Sequence, residues 1–206
     1  MLTIGIIAEG PTDQIVIENI LQGYFQNEEI AVNYFYPPLA VSGATPPPAG
    51  WTLVFTCLRR GYVQLGLQVN QYLAIHIDAD VQKEPGFDVP RQENGKKLTL
   101  HDRVDRIIER LRKEIDPEVL KTKGERILFA IAVDSIECWL LPLLFLTDHK
   151  KASKEPGCLD LANKQLRKMN LKGLSSSKEA KFDTARSYAV DRFCTLVRPS
   201  EFRRAS

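Results

Sequence analysis

Four short apolar runs, each followed by enough chain for a helix, constrain this sequence more than any other feature. They lie at residues 2–8, 30–36, 72–77 and 126–133. The first is rich in isoleucine and has no polar alternation, as a strand buried on both faces should be. Parallel strands need crossover connections of a dozen residues or more, usually helical. The expected fold class is therefore α/β, with a four-stranded parallel sheet flanked by helices.

The connecting stretches support this reading. Pro11 suits the first turn of a helix, and Ile17, Ile20, Leu21, Tyr24 and Phe25 recur at helical spacing. A second helix is expected over 51–69, with Val54, Phe55, Leu58, Tyr62 and Leu65 on one side. Thr99 can cap an amphipathic helix to about residue 115, burying Val104, Ile107, Ile108 and Leu111. An apolar helix is expected over 135–145. Ser176 and Glu179 form a candidate capping box for a last helix to about residue 197. Residues 37–50, with three successive prolines, and the polar stretch 81–97 read as loops. Residues 1–146 then form the main domain, and 147–206 a basic helical extension packed on it.

A chain of 206 residues is long enough for one such domain with a real core. No apolar run is long enough to span a membrane. The opening MLTIGIIAEG reads as a strand and not as a signal peptide, so the expected location is cytoplasmic. Cys57, Cys138, Cys158 and Cys194 show no paired spacing. All four are expected to be free thiols in a reducing compartment. Charge is uneven. Residues 1–148 carry 14 Lys and Arg against 20 Asp and Glu, a net of −6. Residues 149–206 carry 14 against 6, a net of +8. An acidic site beside a polyanion-binding surface would distribute charge this way, and so would a solvated basic tail.

Carboxylates follow three of the four runs at once: Glu9 after the first, Asp78 and Asp80 after the third, Asp134 and Glu137 after the fourth. In a parallel sheet the strand exits share one edge, where ligands bind. Two ionised carboxylates about 5 Å apart repel by roughly 3 kcal/mol at an effective dielectric of ~20. Either protons are taken up or a cation sits between them. All-oxygen ligation favours Mg²⁺, with Mn²⁺ as a substitute, over zinc. A lone Glu-Gly turn or a lone Asp-x-Asp is commonly just a connection. Asp134 could be only a helix cap. The combination is what points to a site.

The residues Ile6-Ile7-Ala8-Glu9-Gly10-Pro11-Thr12-Asp13 and Ile75-His76-Ile77-Asp78-Ala79-Asp80 resemble the signatures of the Toprim superfamily. That superfamily spans topoisomerases, bacterial primases, a ribosomal-RNA maturase and the overcoming-lysogenisation-defect nucleases. Ser135-Ile136-Glu137-Cys138-Trp139-Leu140-Leu141 is similar to a motif of small stand-alone Toprim-like prokaryotic proteins classed as a domain of unknown function. The resemblance covers roughly residues 1–146, with Asp13 where glutamate is more usual. It implies a Toprim-like, Rossmann-like fold. Glu9 would be the acid/base or metal-linked glutamate, followed by Gly10. Asp78 and Asp80 would be metal ligands. Glu137, supported by Ser135 and Asp134, would help hold a second ion. The related nucleases also use a lysine near the scissile phosphate, for which Lys178 and Lys181 are candidates.

The expected function is Mg²⁺-dependent hydrolysis of DNA or RNA phosphodiesters. Arg59, Arg60, Lys172, Lys181 and the basic tail would contact phosphates. Topoisomerase or primase activity would need additional domains. No GxxxxGK[ST] pattern occurs, so the anti-phage role of similar proteins implies a separate ATPase partner; self-association stays open. Two other classes compete. One is a non-catalytic metal-binding interaction module. The other is a small-molecule phosphohydrolase.

Overall fold

The structure, a computed structural model, describes residues 1–25, 29–38, 49–133, 135–154, 157–171 and 173–174. In chain order its elements are β1 (Leu2–Ile7), α1 (Pro11–Tyr24), β2 (Ile30–Tyr36), α2 (Trp51–Arg59), α3 (Tyr62–Val69) and β3 (Tyr72–Asp78). There follow β4 (Gln92–Glu93), β5 (Lys96–Lys97), α4 (Leu100–Arg112), α5 (Pro117–Lys123) and β6 (Ile127–Ala132). The last are α6 (Leu141–Leu144), α7 (His149–Ala152) and α8 (Cys158–Lys168). They divide into two compact units, residues 1–11 with 31–133, and residues 12–30 with 134–206.

The first unit holds a four-stranded parallel sheet in the order β2-β1-β3-β6, the expected α/β class. β3 pairs in parallel with β1, Ile7 beside Ile75, and with β6, Asp78 beside Ala132. Alternation along β3 sorts its side chains between two faces. Leu73, Ile75 and Ile77 join a core with Val54, Phe55 and Leu58 of α2, Leu67 of α3, and Ile107 and Leu111 of α4. Ala74, His76 and Asp78 take the opposite face.

The expected single helix over 51–69 is two. Gly61 has a φ of 79°, in the left-handed region that ends helices and that other side chains enter with strain. α4 begins as expected at Thr99, whose hydroxyl accepts from Asp102 N at 3.2 Å while the Asp102 carboxylate accepts from Thr99 N at 3.3 Å. α5 lies beyond what the apolar periodicity predicts. Its start is nevertheless written as Asp116-Pro117, a side-chain cap accepting from Glu118 N at 2.8 Å and a proline in the first turn.

The stretch 81–97 is more than a polar loop. A 3-10 turn covers Ala79–Lys83, β4 and β5 form a small antiparallel ribbon, and Phe87 and Val89 are buried. Phe87 stacks on Phe55 with ring centroids 5.2 Å apart and meets Trp51 edge-on at 5.5 Å. Arg110 donates to the carbonyls of Phe87 and Gly86, each at 3.0 Å, and its guanidinium lies 4.5 Å from the Phe55 ring.

In the second unit, the expected helix over 135–145 is a 3-10 turn, Ile136–Leu140, followed by the short α6 with Pro142 in its first turn. Leu140 packs with Val16 and Ile20 of α1. Leu141, Phe145, Cys158 and Ala162 form a second small core. Here one expectation is overturned. Cys138 and Cys158 are joined in a disulfide, their Cα atoms 4.9 Å apart, and are not free thiols. The pairing depends on α8 folding back onto the 3-10 turn, which residue spacing does not reveal. Cys57 is a free thiol as expected; burial pushes its pKa up to about 11. Cys194 and the expected helix over 176–197 lie outside the described residues. Among those described, no helix is long and apolar enough to cross a membrane.

Candidate functional site

The strand order determines where a site can form. From β1 the chain goes to β2 on one side, then returns to β3 on the other. The order therefore reverses between β1 and β3, and in open parallel sheets the crevice for ligands lies beyond the strand ends at that reversal. Glu9 leaves β1 there, and Asp78 ends β3 there.

The two strand ends are tied together through the Glu9 side chain. The backbone N–H of Asp78 donates to Glu9 Oε1 at 2.8 Å across 69 residues of sequence, in a partly buried setting. The main chain of Glu9 is held as well: its carbonyl accepts from Gly50 N at 2.7 Å, and Ala8 N donates to Tyr36 O at 2.9 Å. Neighbouring strands thus aim the carboxylate. Gly10, half-buried, makes the short step from Glu9 to Pro11.

Beyond Asp78 the chain enters the 3-10 turn. Ala79 is buried and Asp80 exposed, so the Asp-x-Asp presents one partly buried and one outward carboxylate. The turn is anchored from below. Buried Gln82 accepts from Arg103 Nε of α4 at 3.1 Å, and its carbonyl accepts from Val89 N at 2.9 Å.

His76, read from sequence as a packed strand residue, lies on the same face of β3 as Asp78. Its side chain is fully buried, and Nε2 sits 3.6 Å from Asp78 Oδ1. That is beyond hydrogen-bond length. Burial pushes the imidazole pKa down to about 3, so the ring is neutral near pH 7. The period-two alternation of β3 is the signal that places His76 behind Asp78.

Ser135, half-buried, precedes the 3-10 turn of the second unit, and Glu137, buried, is within it. Arg59 is engaged by Glu114, which also takes Arg110. Burial pushes the Glu114 carboxyl up, but the hydrogen bonds from the two arginines outweigh it and hold the pKa below its ordinary value. Arg60 is exposed at the end of α2. Asp134, Lys172, Lys178 and Lys181 lie outside the described residues.

Among the described residues, no three His, Cys, Asp or Glu side chains gather in a cluster able to hold a metal. Glu9 and Asp78 offer carboxylate oxygen, the donor type that Mg²⁺ takes. That ion keeps several waters and takes one or two carboxylates, where a structural zinc site needs four protein ligands. The donor set is all oxygen. No family model, no curated protein and no solved structure matches the chain.

Proposed function

We propose that this chain is a Mg²⁺-dependent nuclease of Toprim type, hydrolysing DNA or RNA phosphodiesters at the edge formed by β1 and β3. The observation that carries the reading is the bond from the backbone N–H of Asp78 to Glu9 Oε1, which ties the Glu9 carboxylate to the end of β3 at the point where the strand order reverses. Both acids of the pair belong to the first unit.

Glu9, Asp78 and Asp80 would hold a hydrated Mg²⁺. The ion, when bound, would polarise the phosphodiester and lower the pKa of a water. The protein's own part is geometric and electrostatic. The β3 backbone fixes the Glu9 carboxylate, and the Arg103–Gln82 contact steadies the turn carrying Asp80. A glutamate so held can also accept the proton of an attacking water. A separate ATPase partner follows from the Toprim resemblance alone and belongs to the same proposal.

The test is cleavage of single-stranded DNA, duplex DNA and RNA with Mg²⁺ or Mn²⁺, comparing the native chain with Asp78→Ala/Asp80→Ala. The expected result is cutting that needs the metal and is lost in the double variant. Turnover of a soluble phosphate ester with no cutting of nucleic acid would replace this reading with a phosphohydrolase. Metal binding without turnover of either kind would replace it with a binding module.

A further inference from the structure

α8 buries one face and leaves the other strongly cationic. Cys158, Ala162 and Leu166 are buried, while Lys164, Arg167 and Lys168 are exposed. Lys164 and Lys168 lie one turn apart, about 6 Å along the axis at the usual helical rise, and Arg167 falls between them. The helix has one acid, Asp160, a turn before Lys164. No carboxylate among the described residues forms an ion pair with any of the three cations.

Cations in a last turn complement the helix dipole, which accounts for Arg167 and Lys168 but not for Lys164. We infer that this face of α8 binds the phosphate backbone of a nucleic acid. An anionic membrane is the other polyanion to weigh. Helices that lie on membranes insert an apolar face, and the apolar face of α8 is already buried within its own unit. What remains exposed is a row of three charges with one apolar neighbour, Met169, at the helix end. Contacts of such charges with phosphates hold and orient a strand without reading its sequence.

The inference takes its partner class from the nuclease reading but does not use the metal edge, and the test keeps the two apart. Binding of a labelled oligonucleotide, single-stranded and duplex, is measured in EDTA over a series of salt concentrations. The native chain is compared with K164Q/R167Q/K168Q and with K96Q/K97Q/K113Q, three exposed cations of the other unit. Each phosphate left without its cation lowers the salt slope by roughly 0.7 to 0.9. The expected result for the α8 variant is therefore a slope reduced by about 2 to 3 and affinity down by about 10-fold or more. The control variant is expected to change much less. Binding by the native chain with an unchanged slope in the α8 variant overturns the inference, as do equal losses in both variants. So does binding only to vesicles of anionic lipid, or no binding at all. Binding as described without cleavage in Mg²⁺ would sink the nuclease reading and leave this surface standing.

Discussion

Glu9→Gln is expected to slow metal-dependent cleavage by about 100-fold or more, the scale of losing one charge placed at a reacting centre, with the fold intact. Glutamine keeps a side-chain oxygen in place, so the N–H of Asp78 still has its acceptor. What disappears is the negative charge. The bond to the backbone is kept, so the free energy of unfolding in EDTA should stay within about 1 kcal/mol of the native value. Single-turnover cleavage and urea unfolding measure the two halves separately. Cleavage within a few-fold of the native rate would remove Glu9 from the chemistry. Loss of cleavage together with a large fall in stability would show that Glu9 serves the fold.

Phe87→Ala is expected to lower stability by about 3 to 5 kcal/mol, the usual cost of emptying a buried aromatic site. Phe87 is fully buried, stacked on Phe55 and edge-on to Trp51. Its carbonyl also takes a hydrogen bond from Arg110. The substitution therefore opens a cavity where the segment after Asp80 is pinned to the core. Urea titration should show a lower midpoint with little change in slope. Val69→Ala, at an exposed site in α3, should stay within about 0.5 kcal/mol of the native chain. A fall below 1 kcal/mol for Phe87→Ala would mean that this segment does not belong to the core.

Phe87 also marks where the sequence stops being readable. The strands are legible because each is a short apolar run set off by a connection long enough for a helix, and all four appear within a residue or two of their expected bounds. Thr99 is legible as a cap because capping is local. The stretch 81–97 is not. Phe87 and Val89 are isolated apolar residues among charges, and the partners of Phe87, Phe55 and Arg110, are more than 20 residues away. The Cys138–Cys158 disulfide is hidden for the same reason: its geometry depends on how α8 folds back, not on a local pattern. Gly61 is visible as a weak point in its helix, yet only a left-handed φ turns a tolerated glycine into a break.

The candidate site divides in the same way. Carboxylates at strand exits can be named from sequence, but which exits are adjacent depends on strand order. The order β2-β1-β3-β6 makes neighbours of the strands that end in Glu9 and Asp78. His76 reads from sequence as a packed strand residue outside the site. It is packed, and it also stands next to Asp78, because residues two apart on a strand share a face.

The most direct measurement is the anomalous difference map from crystals soaked in Mn²⁺. A manganese peak within bonding distance of carboxylate oxygens of both Glu9 and Asp78, with water completing its coordination, is the expected result. A map with no peak at that edge under saturating Mn²⁺, or with manganese bound only elsewhere, would contradict the proposal that this pair of carboxylates holds the metal.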